Sequence, residues 1–222
     1  MSGDARRLLA CLAAPAAALA AVGAPAQAAT VRTDRSPEQI RAEYASGAVD
    51  RDIAAVYRRA TAYVRAQVHR PTPPRRPAVV LDIDETTLSN YGCLDAVDFD
   101  LGGLATCAVE GRSRAIPAAR RFVRFAQAHG VAVYFVTGAP EAICGARRKN
   151  LRAQGIGGRF KVICRPPEDT NDSPAPFKTA ARRDIRRTGR TIVANVGDQP
   201  SDLSGGIARR AFRLPNPIYL TP

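Results

Sequence analysis

Residues 78–90 read Ala-Val-Val-Leu-Asp-Ile-Asp-Glu-Thr-Thr-Leu-Ser-Asn, and the fold class turns on the change of character halfway along. Ala78 to Leu81 is a short apolar run of the kind buried on both faces of a parallel sheet. Asp82 and Asp84 follow at once. In an extended segment residues two apart project to the same side, so this spacing gathers two carboxylates at the end of a buried strand. Such a pair is costly unless a cation or hydrogen-bond donors compensate it. The competing explanation is an acidic turn with no chemical duty.

Downstream, the same alternation of strand and helix repeats. Helical patterns over 116–129, 140–154 and 177–187 end at Gly130, Gly155 and Gly189, and apolar strands are expected over 131–136, 160–164, 191–196 and 211–214. This order predicts an α/β fold with a parallel sheet sandwiched by helices. Residues 89–115 are too long for a plain connection and read as a small cap-like insertion after the first strand. Upstream, Ser36-Pro37-Glu38-Gln39 is a capping box with Pro at the first helical position. It opens helices near 37–46 and 48–69, which divide at Ser46-Gly47. In the second, Val49, Ile53, Val56, Ala60, Tyr63 and Val68 share one face, opposite Arg51, Arg58, Arg59 and Arg65. Residues 29–77 are therefore expected to form an N-terminal helical segment packed on a core of residues 78–222.

The first 28 residues have another character. Arg6-Arg7, an Ala/Leu-rich run to Val22 and Ala26-Gln27-Ala28 have the three-part layout of a signal peptide. The run is too short to span a bilayer, so the expectation is an exported protein with no transmembrane segment after processing. Four cysteines then remain, Cys93, Cys107, Cys144 and Cys164, and an even number in an exported chain suits disulfides. Locality favours Cys93–Cys107 and Cys144–Cys164 among the three possible pairings. Zinc is the weaker reading, because there is no CxxC and His69 and His129 lie far from the cysteines.

Composition bounds the rest. The 222 residues are 45% apolar and 24% charged, close to a soluble globular average, which excludes global disorder, a collagen-like fibre and a polytopic membrane protein. With 33 Lys+Arg against 20 Asp+Glu the net charge is +13. Removing residues 1–28, which hold Arg6, Arg7 and Asp4, lowers it by one. A basic balance invites a nucleic-acid reading, but the arginines are spread over several helices without interleaved aromatics. No specific nucleic-acid partner is expected.

Polar residues collect where each strand ends, the place where open parallel sheets bind ligands. After Asp82 and Asp84 come Thr137-Gly138, a hydroxyl and a backbone N–H able to hold a phosphate oxygen. Lys178 opens a helix, and lysine otherwise occurs only at 149 and 161. Gly197-Asp198-Gln199-Pro200-Ser201-Asp202 adds two more carboxylates, a donor set suited to Mg²⁺, which prefers oxygen ligands. Taken alone, Thr-Gly is a common strand end, Lys178 an ordinary surface lysine, and Asp198 with Asp202 a turn and helix cap.

All four in this order resemble the haloacid dehalogenase-like phosphohydrolases. DIDETTLSN is similar to their first motif, VTG to their second, Lys178 to their third and GDQPSDL to their fourth. With RLPNPIY near the end, and Tyr44, Gly47 and Asp52 near the start, the chain resembles more narrowly the class B acid phosphatase-like branch, which includes secreted bacterial acid phosphatases and plant vegetative storage proteins. The resemblance covers roughly residues 36–220. It implies a Rossmann-like sheet and hydrolysis of small phosphomonoesters. Asp82 would be the nucleophile and Asp84 the proton donor and acceptor. Asp82, Asp198 and the backbone carbonyl of Asp84 would hold Mg²⁺, with Asp202 in support, and Thr137, Gly138 and Lys178 would bind the phosphoryl oxygens. One departure stands out: the branch commonly has an Arg after Thr-Gly, and here Ala139 follows. Because storage relatives can lack the nucleophile, a non-catalytic storage or binding protein of the same fold is the alternative reading, with a nucleic-acid-binding or end-processing protein ranked behind it. Oligomeric state does not follow from any of these features.

Overall fold

The computed structural model describes residues 31–221; the expected leader, residues 1–28, lies outside the described residues. In chain order the elements are β1 (Val31–Arg32), α1 (Pro37–Ala45), α2 (Ala48–Val68), β2 (Pro77–Leu81), β3 (Leu88–Ser89), α3 (Tyr91–Asp95), α4 (Gly103–Glu110), β4 (Arg114–Ala115), α5 (Pro117–Ala128), β5 (Ala132–Pro140), α6 (Cys144–Ala153), β6 (Phe160–Arg165), α7 (Ala175–Arg187), β7 (Thr191–Gly197), α8 (Pro200–Leu203), β8 (Arg210–Arg213) and β9 (Tyr219–Leu220).

Five strands form one parallel sheet in the order β6-β5-β2-β7-β8. Side-chain alternation divides it into two cores. Val79, Leu81, Val133 and Phe135 point to the face covered by α2 and α5, where they meet Ile53, Val56, Phe122 and Val123. Ala78, Val80, Tyr134 and Val136 point to the other face, against Ala181 and Ile185 of α7. From β2 the chain steps outward to β5 and β6, then returns to β7 on the opposite side of β2. The C-terminal end of β2 is thus the topological switch point, where a crevice opens between diverging connections.

The N-terminal helices belong to this architecture. α1 begins with the expected capping box, in which Gln39 N donates to Ser36 Oγ and Ser36 N to Gln39 Oε1. Gly47, with φ +69°, makes the left-handed turn into α2; a side chain at that φ would be strained. α2 buries Val49, Ile53, Val56, Tyr57, Ala60 and Val64 and leaves Arg51, Arg58, Arg59 and Arg65 in solvent. No helix among the described residues is long and apolar enough to cross a membrane.

The insertion is closed at its base by antiparallel pairing of β3 with β4 and is held by α1. Arg41 reaches Asp95 at 2.6 Å and Asp98 at 2.8 Å. Tyr44 stacks on Tyr91 with 3.9 Å between centroids, and Ile40 is buried with Leu94, Phe99, Ile218 and Tyr219. The Asp95–Asp98 acids therefore serve an ion-pair anchor, and Tyr91 and Phe99 fasten the insertion. Both disulfides have the expected pairing, Cys93–Cys107 within the insertion and Cys144–Cys164 between α6 and β6.

The largest boundary difference from expectation lies after β5. The helix expected from Pro140 starts at Cys144, after a short 3₁₀ turn over Glu141–Ile143, and β5 runs on through Pro140. After an irregularity that follows Thr137, Pro140 still pairs with Arg165 of β6. That bulged strand end carries Thr137-Gly138 to the rim of the crevice.

Candidate active site

A cavity of about 160 Å³ opens at the C-terminal end of β2, and Asp82, Asp84, Thr137, Gly138, Lys178 and Asp198 all line it. Each arrives by a different route. Asp82 continues β2, with its N–H donating to the Val196 carbonyl of β7 at 3.0 Å. The Asp84 segment curls back: Thr87 N donates to Ile83 O, and Thr87 Oγ1 to Asp82 O at 2.7 Å. Tyr57 of α2 donates to Thr86 O at 2.9 Å, so the N-terminal segment buttresses the loop. Glu85 takes φ +48° within this curl. Its buried carboxylate accepts from Asn90 N at 2.8 Å and from Ser89 Oγ, and burial pushes it up to about 8.

Lys178 enters from the first turn of α7. Its ammonium is buried and donates to Asp82 Oδ1 at 2.8 Å and to Asp202 Oδ1. Burial alone would depress its pKa, but the Asp202 and Asp82 carboxylates hold it above the ordinary lysine value. Asp82 moves the other way. Burial raises it well above the carboxylate range, Lys178 opposes this, and Asp202, Asp198 and Asp84 add to it.

The fourth segment is the most heavily bonded. Asp198 Oδ1 accepts from Thr86 Oγ1 at 2.8 Å, and Oδ2 from Asn216 Nδ2 at 2.9 Å and from Gln199 Nε2. Burial raises Asp198 to about 7 despite these donors. Asp202 does not line the cavity; it stands behind Lys178. One oxygen binds the ammonium and the other accepts from Gln199 N at 2.8 Å, closing a capping box on α8. Arg182 and Asn195 both donate to the Asp202 carbonyl. Gly197 is required by this closeness, because a Cβ there would lie 2.2 Å from the Cβ of Asp202.

A divalent cation suits this donor set. Asp82, Asp198 and Asp202 each offer an oxygen, all within 4.8 Å of one another and all buried, and one ammonium does not balance three carboxylates. Hard oxygen donors in this number are what Mg²⁺ and similar ions take. Asp82 and Asp198 line the cavity and Asp202 does not, so the first two are the better placed pair.

The remaining walls mix apolar groups with the polar side chains of Arg165, Gln199, Ser201 and Thr221. Leu104, Ala105 and Ala108 come from α4 of the insertion, Pro140 and Ile143 from the segment after β5, and Tyr219 from the C-terminus. Ala139 occupies the place after Thr-Gly, and its N–H donates to Thr137 Oγ1 at 3.1 Å. Polar residues that sequence reasoning did not single out also belong to the site: Arg165 and Thr221 line the cavity, and Asn90, Asn216 and Arg147 hydrogen-bond to its carboxylates. Asn90 sat in the quoted opening stretch, whereas Arg147 had no distinguishing signal in an arginine-rich helix.

Comparison with known proteins fits this geometry. The chain is 31% identical over 155 residues to acid phosphatase 1 of Solanum lycopersicum, an alignment covering 65% of this chain and 59% of the tomato protein. It is 34% identical over 113 residues to the stem 28 kDa glycoprotein of Glycine max, covering 50% of this chain and 44% of that one. This chain thus spans about half the length of the curated relatives it matches. Among solved structures, the class C acid phosphatase from Bacillus anthracis superposes with a TM-score of 0.69 at 20% identity, over 83% of this chain and 86% of that chain, which is a likeness of fold. The model of the HAD superfamily, subfamily IIIB (acid phosphatase), matches residues 9–222, and the chain belongs to that family.

Proposed function

We propose that this protein is an exported, Mg²⁺-dependent phosphomonoesterase that hydrolyses small phosphate monoesters through an aspartyl-phosphate. The observation that carries the reading is the convergence of Asp82, Asp84, Thr137, Gly138, Lys178 and Asp198 on one cavity at the switch point. Two disulfides, as expected of a protein matured in an oxidising compartment, support export.

Asp82 attacks phosphorus, splitting hydrolysis into two easier displacements. Thr137, the Gly138 N–H and Lys178 hold the phosphoryl oxygens and oppose the charge that builds in the transition state. Asp84 gives a proton to the departing ester oxygen and takes one from the water that releases phosphate. When bound by Asp82, Asp198 and the Asp84 carbonyl, Mg²⁺ supplies the positive charge that lets a phosphate dianion approach these carboxylates. Asp202 keeps Lys178 aimed at Asp82. The cavity's modest volume of about 160 Å³ favours compact monoesters.

A non-catalytic storage role is the second reading, favoured by the likeness to vegetative storage proteins 1 and 2 of Arabidopsis thaliana. The nucleophile's presence at Asp82 speaks for turnover. Purified protein is expected to hydrolyse p-nitrophenyl phosphate with Mg²⁺, to stop when the metal is removed with EDTA, and to be inactive as Asp82→Asn while keeping its circular dichroism spectrum. No turnover over a broad phosphoester panel with Mg²⁺ present would favour the storage role, and full activity in Asp82→Asn would sink the covalent mechanism.

A further inference from the structure

Asp84 receives two side-chain hydrogen bonds, and both end on the same oxygen. Asn90 Nδ2 donates to Oδ1 at 2.9 Å, and Arg147 Nη2 of α6 donates to the same oxygen. Asn90 is itself fixed by Ser113 Oγ, which donates to its Oδ1. Among the described residues no donor reaches Oδ2, while Asp84 lines the cavity.

Arg147 is an unusual residue to find here. Its side chain is 0% exposed, its only ion pair among the described residues is with Asp84, and its Nε and Nη1 have no partner. A buried guanidinium pays a large desolvation cost, and one with two unsatisfied nitrogens is a poor stability device. Its neighbours Arg148 and Lys149 are exposed in the ordinary way. The arrangement has a chemical use, because Oδ1 accepts its hydrogen bonds whether Asp84 is carboxylate or carboxylic acid. Pinning Oδ1 therefore leaves Oδ2 as the atom that carries the exchangeable proton.

We propose that Arg147 is a positioning residue for Asp84, an inference that rests on the phosphomonoesterase reading. With Asn90 it turns Oδ2 toward the leaving group. The proton on Oδ2 passes to the ester oxygen as the P–O bond breaks and the bond from Asp82 to phosphorus forms, leaving Asp84 as carboxylate. In the second half Oδ2 takes a proton from water as its oxygen bonds to phosphorus and the Asp82 acyl-phosphate bond breaks. Asp84 ends as it began. Because the step needing protonation is expulsion of a basic leaving group, Arg147 matters most for alkyl monoesters and least for activated aryl ones.

The test compares kcat/KM on glycerol 2-phosphate and p-nitrophenyl phosphate for wild type, Arg147→Met and Arg147→Lys. Arg147→Met is expected to lose about 100-fold on the alkyl ester, the low end for a general acid, and less than about threefold on the aryl ester, with Arg147→Lys recovering part of the selective loss. A merely structural role lowers both substrates together. Equal losses on the two esters, or no loss on either, would overturn the proposal. If circular dichroism shows Arg147→Met unfolded, Arg147→Lys carries the same comparison under the same criterion. An inactive wild type would overturn the phosphatase reading and this inference with it, whereas an active wild type beside an unselective variant overturns only the role of Arg147.

Discussion

Lys178 on α7 and Asp82 at the end of β2, 96 residues apart in sequence, meet inside the protein at 2.8 Å, and Asp202 shares the same ammonium. The bridge ties the two halves of the sheet at the switch point. Lys178→Met is therefore expected to act twice. It removes a donor to the phosphoryl group, worth about 10²–10³ in kcat for groups of this kind. It also leaves two buried carboxylates facing each other. Assays on p-nitrophenyl phosphate read the first effect. Thermal melts in EDTA read the second, with a lower Tm than wild type and a larger gain on adding Mg²⁺.

Gly197→Ala tests the packing behind that bridge. The new Cβ would stand 2.2 Å from the Cβ of Asp202 and 2.5 Å from its Oδ2, so α8 must shift. Overpacking of this sort costs about 1–3 kcal/mol, readable in urea melts. The displaced Asp202 would let Lys178 wander, so kcat is expected to fall with stability. A variant as stable and active as wild type would show that α8 moves without cost.

The strands were legible because Ala78 to Leu81, and the runs like it, are apolar on both sides, as only a doubly covered sheet requires. The site was legible because Asp82, Thr137, Lys178 and Asp198 stand at or just beyond strand ends, or in the first turn of a helix. The end of β5 was not. Pro140 reads locally as a helix start, and only its pairing with Arg165 across the sheet keeps it in the strand. Arg147 was hidden for a related reason: in Arg147-Arg148-Lys149 nothing local says which cation turns inward. The acids of the insertion were opaque until their partner Arg41, 54 residues before Asp95, was in view.

Buried acids make the metal-free protein sensitive to pH. Asp198 is held at about 7 and Glu85 at about 8, both raised chiefly by burial from ordinary values of 3.8 and 4.5. Between those limits the fold holds protons that the unfolded chain has released, so stability falls as pH rises. It is greatest below the ordinary carboxylate values and is lost through about 7 for Asp198 and about 8 for Glu85. In EDTA the Tm is expected to drop between about pH 5 and about pH 8, and Mg²⁺, which binds ionised carboxylates, should recover more at the upper end. Glu85→Gln should flatten part of the slope. A Tm in EDTA that rises over this range would contradict the assignment.

The two disulfides should separate by their kinetic effects, because they clamp different walls. Cys93–Cys107 joins α3 to α4, whose Leu104, Ala105 and Ala108 face the substrate side of the cavity. Cys144–Cys164 fixes the first turn of α6 to β6, and α6 carries Arg147 to Asp84. Each closes a short loop, and a bridge over about 15 residues contributes roughly 3 kcal/mol. Replacing either pair by serines should therefore lower stability by a comparable amount. The kinetics should differ: loss of Cys93–Cys107 loosens a binding wall and raises KM with kcat little changed. Loss of Cys144–Cys164 frees the helix that positions Asp84 and lowers kcat, most of all on alkyl phosphates. Identical kinetic changes in the two serine variants would mean that the clamps serve stability alone.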